Sequence, residues 1–406
     1  MNGWFKYLEG DKTIWAVAAL LGIFSFLPVY SSSSNLVHLY GQGNTFSYLF
    51  KHLSHLLLGF FIIYGIHKIP YKYFSGLSVI LFPVIIALLI YTLSQGNTVQ
   101  GANASRWIRI PFIGLSFQTS AFAVVVLLAY VARYLSKNIN KELTFKRTLL
   151  TLWLPVMTVL MFILPANFST TAIAFTIILI LVFIGKHPTK YILNIIGIGL
   201  AALVLFILLA KAFPGLLPNR VDTWMNRIEN FTSNDENSDQ YQTDKAKTAI
   251  ATGGVFGLGP GKSIQKNFLP QSSSDFIYAI ISEEFGMIGA MFLLLSYLLL
   301  LFRIVIVSKK APTNFGALLA IAMGLPIVFQ AFINMGVAVG LFPVTGQTLP
   351  LISSGGTSIW MTCVSLGIIL SVSAGRVPTP IESENFESID EMEKVMANPL
   401  EILSET

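Results

Sequence analysis

The sequence predicts an all-α polytopic membrane protein: about ten transmembrane helices, both termini cytoplasmic, and one large extracytoplasmic loop. Three observations predict it. Hydrophobic residues make up 54% of the 406-residue chain and charged residues 11%, less than half of the roughly 25% in a soluble domain. The mean hydropathy is +0.69. The apolar residues also gather in runs of membrane-spanning length. Gly at 31 residues, an aromatic content of 13% and a single Cys exclude collagen-like, disordered and disulfide-rich classes. Cys363 lies in an apolar run and has no second Cys to bridge.

A hydrocarbon core about 30 Å thick needs roughly 20 apolar helical residues. Ten stretches meet or approach that length: Thr13–Tyr30, Leu49–Ile66, Ser75–Ser94, Gln118–Arg133, Leu149–Leu164, Ser169–Gly185, Tyr191–Phe213, Phe276–Leu301, Phe315–Met335 and Ser358–Ala374. Several are short and hold Ser or Thr, which suits helices inside a bundle. Lys6, Glu9, Asp11 and Lys12 precede a first span without an Ala-x-Ala exit, so no cleavable signal peptide is expected. No internal repeat or Gly/Ser-rich linker divides residues 1–376, which are expected to form one membrane domain.

Lys and Arg orient the spans. With the N-terminus inside, the short cytoplasmic connections hold Lys68, Lys72, Arg133, Lys137, Lys141, Lys146, Arg147, Lys186, Lys190, Arg303, Lys309 and Lys310. The short outer loops offer Arg106, Arg109 and the border residue Lys51. Acids are scarcer: none lies between Glu142 and Asp222, and only Asp275, Glu283 and Glu284 lie within or beside the spans. Residues 377–406 form an acidic tail, expected to be a disordered cytoplasmic extension that binds a partner or simply solubilises the chain end.

Three outward stretches depart from the apolar background. The first, Gly101–Arg109, carries Arg106, Trp107 and Arg109. Guanidinium groups bind phosphate oxygens bidentately and Trp favours the interface, so a phosphate or pyrophosphate headgroup fits here; plain interfacial anchoring fits equally. The second lies in the long outer loop of about 214–275 and ends in a Gly-dense run, Gly253–Ser263, followed by Gln265 and Lys266. Its Gly259–Ser263 fragment is superficially like a P-loop. An outward loop between apolar helices lacks the strand that motif needs, so nucleotide hydrolysis is excluded. A Gly-rich backbone with Lys262 and Lys266 could instead approach an anionic headgroup.

Asp275 follows Ser272, Ser273 and Ser274 at the start of a span, where a helix cap is the plainer reading and catalysis the sharper one. Glu283 and Glu284 sit about two turns further in, with Asp275 and Glu283 near one helix face. Carboxylates inside a span are costly, so they are usually paired or functional. The third stretch, Pro343–Ser358, is irregular yet half apolar through Leu349, Leu351 and Ile352. Such backbone must be buried in protein or line a wet cavity, so it reads as a re-entrant loop.

Together these residues resemble the SEDS family, the polytopic cell-wall polymerases with FtsW and RodA branches. The resemblance runs from Asp11 to the last span. It is carried by Phe268-Leu269-Pro270 through Asp275-Phe276-Ile277, then Glu283-Glu284-Phe285-Gly286, the Arg106-Trp107-Ile108 loop and the Ser353-x-Gly355-Gly356-x-Ser358 loop. Gly261–Lys266 is closer to the FtsW branch.

The resemblance implies a peptidoglycan glycosyltransferase that polymerises lipid II at the outer face of the inner membrane, at the division septum, releasing undecaprenyl pyrophosphate. Asp275 matches the family's catalytic position and would act as general base. Arg106, Lys262 and Lys266 would face the pyrophosphate. Trp107, Arg109, Gln242, Gln265, Glu283, Ser353, Gly355, Gly356 and Ser358 would complete a substrate-binding set. Implied partners are lipid II, membrane lipids, a class B penicillin-binding protein transpeptidase and other division proteins, with no nucleic acid. A divalent cation, Mg or Mn, enters by family analogy alone, and no metal ligands are assigned.

The chain also departs from the family. Gln118-Thr119-Ser120-Ala121 and Val124 stand where the family often has Gln-Pro-Ser-Glu and an intramembrane Lys, so an i,i+3 acid–base pair is missing whole. Pro165-Ala166-Asn167-Phe168-Ser169-Thr170 lacks the usual Asp. Gln271, Ser273 and Ser274 replace Glu, His and Thr beside Asp275, and Lys245 replaces a common Gln. Ten spans with a charged internal pair would also suit a lipid II flippase, and the lost charges would suit a non-catalytic division scaffold.

Overall fold

The computed structural model describes residues 8–40, 45–94, 98–99, 102–103, 107–109, 116–139, 141, 143–212, 238–269 and 272–375. The acidic tail, Arg106 and residues 213–237 of the large loop lie outside them. Every expected span coincides with a helix, although often with different ends. The first is two helices, α1 (Lys12–Phe24) and α2 (Phe26–Tyr40), and it runs ten residues past the expected end at Tyr30. At the break, the Ser25 hydroxyl donates to the Gly22 carbonyl at 2.6 Å and lies 2.8 Å from His52 Nε2 on α3 (Thr45–Ile66).

Next come α4 (Tyr73–Ser94) and α5 (Thr119–Asn138). The fifth span joins α6 (Phe145–Thr148), a π-helical turn (Leu149–Trp153) and α7 (Leu154–Ile163). Pro155 has no N–H to give the Thr151 carbonyl; the Tyr130 hydroxyl of α5 donates to it instead, at 2.7 Å. Helices α8 (Phe168–Ile184), α9 (Thr189–Ala212), α10 (Ser238–Gly253), α11 (Ile277–Lys310), α12 (Asn314–Ala338) and α13 (Thr357–Ala374) complete the order. Among the described residues 8 helices are long and apolar enough to cross a bilayer, while α8 is apolar but only 17 residues long.

The outward stretch before α5, expected as a loop, contains two small antiparallel pairs: β1 (Thr98–Val99) with β2 (Ala102–Asn103), and β3 (Trp107–Arg109) with β4 (Ser116–Gln118). Strands of two or three residues are too short for alternation to reveal them.

Helix α12 is the centre of the bundle, packed by α5, α8, α11 and α13. Leu319, Ala322, Met323 and Ala331 on it are fully buried. Helices α3 and α13 approach closely because Gly59 has no side chain; a Cβ there would lie 2.7 Å from Cys363 Sγ. At the end that the cation distribution places inside, Asp11 caps α1 by accepting from Thr13 and Ile14 N–H at 2.9 and 3.1 Å. The same carboxylate accepts from the Arg303 guanidinium, with Nε at 3.0 Å, tying α1 to α11.

Candidate active site

The site is assembled at the opposite end of the bundle, where a Gly-rich loop meets a kink in α11. Expected as one span, α11 breaks at Gly286, whose φ of 64° and ψ of −162° are non-helical. The break removes ladder hydrogen bonds at membrane depth, and these must be replaced. Leu258 and Gly259 N–H donate to the Glu283 and Glu284 carbonyls at 2.9 Å each, and Met287 N–H donates to the Gly254 carbonyl at 2.9 Å. Only glycine fits: a Cβ at Gly286 would lie 2.4 Å from the Gly257 nitrogen.

The acids just before the kink fasten that loop. The Glu283 carboxylate accepts from the Ser263 hydroxyl, from Ile264 N–H at 3.0 Å and from Gln265 N–H at 3.2 Å. Glu284 accepts from the Ser31 hydroxyl and from Ser263 N–H at 3.3 Å. Lys266 Nζ donates to the Gly261 carbonyl at 2.8 Å and to the Ser31 hydroxyl at 3.2 Å. Lys262 is exposed, and Gln242 is half-buried on α10, which packs along α11. Ser263 leads into a short 3-10 turn, Gln265–Asn267, and the element before it is helix α10 rather than a strand.

Asp275 is not the helix cap. The capping position of α11 is Phe276, with no side-chain cap bond, which leaves Asp275 just outside the helix. Asn334 of α12 donates to the Asp275 carbonyl at 2.8 Å, and a Cβ at Gly346 would lie 3.6 Å from Asp275 Oδ2. The segment before Asp275 is stitched to the Pro343–Ser358 loop: Ser353 Oγ donates to the Ser274 carbonyl at 2.6 Å and Ser354 N–H to the Ser273 carbonyl at 2.9 Å. Gln330 donates to the Thr348 carbonyl at 2.9 Å. The Tyr297 hydroxyl donates to the Pro350 carbonyl at 2.5 Å. Tyr297 is about 16 Å beyond the kink at 1.5 Å per residue, so the loop dips into the bundle with Leu349, Leu351 and Ile352 buried.

These elements enclose a cavity of about 710 Å³. Its mouth is polar: Asp275, Gln118, Asn167, Thr170, Gln347, Thr348, Gly355, Gly356 and Ser358, with Tyr48, Lys51 and His55 from α3. Its depth is mainly apolar, lined by residues such as Val125, Leu128, Ile173, Ile177 and Met323. From Gln118 to Leu128 on α5 it descends about 15 Å. Among the described lining residues, Asp275 supplies the single carboxylate and Lys51 the single Lys or Arg. Ala121 and Val124 line it too, so the missing acid–base pair would have faced this space.

Of the residues expected to act together, Asp275, Gly355, Gly356 and Ser358 share the cavity, and Ser353 braces its wall. Glu283, Gln265 and Lys266 belong to the loop dock. Trp107 and Arg109 occur in β3, whose partner strand ends at Gln118 in the cavity mouth. Lys51, His55, Gln330, Asn334 and Gln347 were not expected. Gln330 and Asn334, one turn apart in an apolar span, are the signal that could have found two of them. No group of three His, Cys, Asp or Glu side chains converges among the described residues, and one carboxylate with neutral oxygens does not fit a tightly held divalent ion.

A family model described as a cell cycle protein, covering FtsW, RodA and SpoVE, matches residues 11–377. The probable peptidoglycan glycosyltransferase FtsW of Hydrogenovibrio crunogenus is 32% identical over 365 residues, covering 88% of this chain and 90% of its own. The protein of the same description from Geobacter sp. (strain M18) is 32% identical over 377 residues, covering 91% and 98%. The fold is similar to the rod shape determining protein RodA of Thermus thermophilus, with a TM-score of 0.64, 23% identity, and 92% and 100% coverage. It is also similar to a chain from a peptidoglycan synthase complex that coordinates polymerization and crosslinking, with a TM-score of 0.69, 24% identity, and 90% and 97% coverage. With the family pattern matched from Asp11 through the last helix, and relatives aligned over nearly their whole length, the chain belongs to the FtsW/RodA/SpoVE family of cell cycle proteins.

Proposed function

We propose that the chain is a peptidoglycan glycosyltransferase of the division branch, polymerising lipid II at the outer face of the inner membrane. The observation that carries this reading is Asp275, the single carboxylate among the described lining residues of a cavity with a polar mouth and a mainly apolar depth. A lipid-linked donor has that same division between headgroup and chain. An acceptor sugar hydroxyl attacks the anomeric carbon of the donor glycan. The bond from that carbon to the pyrophosphate breaks, and its electron pair leaves with undecaprenyl pyrophosphate. Asp275, within about 3 Å of the hydroxyl directly or through one water, accepts its proton. Inversion at the sugar is consistent with one base and a lipid leaving group. Arg106, Lys262 and Lys266 are further candidate contacts for the pyrophosphate.

A peptidoglycan synthase complex that coordinates polymerization and crosslinking is among the similar structures, which supports a crosslinking partner. We read that partner as a class B penicillin-binding protein, and the division-branch reading makes the septum the site of action. The curated relatives' name favours a polymerase over a flippase, and the mainly apolar cavity depth offers little polar path across the midplane. The test is Asp275→Ala, purified with the partner transpeptidase: glycan polymerisation from lipid II should vanish while folding and partner binding persist. Normal polymer from that variant would sink the assignment. Lipid II scrambling that survives the loss of polymerisation would favour the flippase.

A further inference from the structure

We propose that Lys51 and His55 of α3 form the subsite that holds the pyrophosphate of the lipid-linked substrate beside Asp275; this rests on the glycosyltransferase reading above. The two residues are four apart, on one face of α3, and both line the cavity that Asp275 lines. Lys51 is its single Lys or Arg among the described lining residues.

His55 is a buried polar group aimed at that space. It is 8% exposed, and no hydrogen bond to its ring occurs among the described residues. Trp360 holds the ring edge-on at 5.3 Å, and a Cβ at Gly356 would lie 3.8 Å from Nε2. An imidazole held in place without a protein partner is ready to donate to a ligand oxygen.

Charge supplies the rest of the argument. A pyrophosphate brought next to the Asp275 carboxylate is repelled unless a cation stands nearby. Ala121 and Val124 contribute none, so within the described lining that cation is Lys51, a compact point charge suited to phosphate. As the bond from sugar to phosphate breaks, negative charge grows on the leaving oxygens, where Lys51 and a His55 N–H act most strongly.

The experiment uses the full chain with its partner transpeptidase. It measures labelled lipid II binding, polymerisation KM and kcat, and displacement by inorganic pyrophosphate. Wild type should be displaced by pyrophosphate. Lys51→Met should weaken lipid II binding about tenfold to a hundredfold, as expected for loss of a charge-assisted contact, and lose sensitivity to pyrophosphate. Lys51→Arg should recover most of both, and His55→Gln should show a smaller loss. Wild-type KM and pyrophosphate sensitivity in well-folded Lys51→Met would overturn the subsite while leaving the polymerase reading intact. Pyrophosphate that fails to displace lipid II from wild type would also overturn it, without relying on any variant. A wild type that binds lipid II but never polymerises it would overturn the function instead, and the binding arm would still decide the subsite.

Discussion

Asn334 holds Asp275 by its backbone: the buried amide donates to the Asp275 carbonyl at 2.8 Å and to the Gln347 carbonyl at 2.7 Å. One side chain on the central helix thus fixes the spacing between the segment that carries the carboxylate and the re-entrant loop that walls the cavity. Asp275 lies outside the regular helix, so this bracing does what a helix backbone would otherwise do.

Replacing Asn334 by Leu keeps the volume and removes both bonds. Leaving a buried carbonyl unpaired costs about 1–3 kcal/mol, so melting should shift downward. Polymerisation should fall about tenfold or more, because small misplacements of a base are expensive, while lipid II affinity changes less. An Asn334→Leu protein with normal turnover would show that Asp275 is positioned by other contacts.

Gly286 and Gly375 can be compared: their φ values of 64° and 62° are nearly equal. Their ψ values differ, −162° at Gly286, a region essentially reserved for glycine, and 25° at Gly375, ordinary left-handed backbone. A Cβ at Gly286 would strike the backbone of Gly257, whereas one at Gly375 would meet nothing within 4 Å. Gly375→Ala should cost only the strain of a left-handed residue, about 1–2 kcal/mol. Gly286→Ala should cost clearly more, because its ψ adds backbone strain and the Gly-rich loop must also leave the kink. Thermal unfolding in detergent checks the order, and equal losses would mean that the loop dock contributes little to stability.

The spans were legible because membrane-crossing helices are written in local composition, and the Lys and Arg of the short loops give them a direction. The kink at Gly286 was not, because its cause lies some thirty residues earlier in Val255 and Gly257, and apolar periodicity does not record such a contact. Asp275 was conspicuous by the scarcity of acids, yet its neighbours Lys51 and His55 reach it only through tertiary packing of α3 on α13. Glu283 and Glu284 were marked as paired or functional. The structure shows them paired with the Gly-rich loop, which spacing along α11 could not distinguish from sharing a face with Asp275. The continuation of α2 to Tyr40 was hidden by its run of serines, of which Ser32 folds its hydroxyl back to the Pro28 carbonyl at 2.7 Å.

Ala121 and Val124 both face the cavity, so the missing acid–base pair can be tested by restoring it. Ala121→Glu alone places a carboxylate in the space occupied by Asp275, and Val124→Lys alone adds an ammonium to a largely apolar wall; each should destabilise the protein. Together, at i,i+3 on α5, they can pair. A double-mutant cycle should therefore show a favourable coupling of about 0.5–3 kcal/mol. The double variant should retain polymerisation, because Asp275, Lys51 and the loop contacts are untouched. Additive losses with no coupling would mean that these positions cannot pair in this chain, and that its cavity has been reshaped rather than merely stripped of a salt bridge.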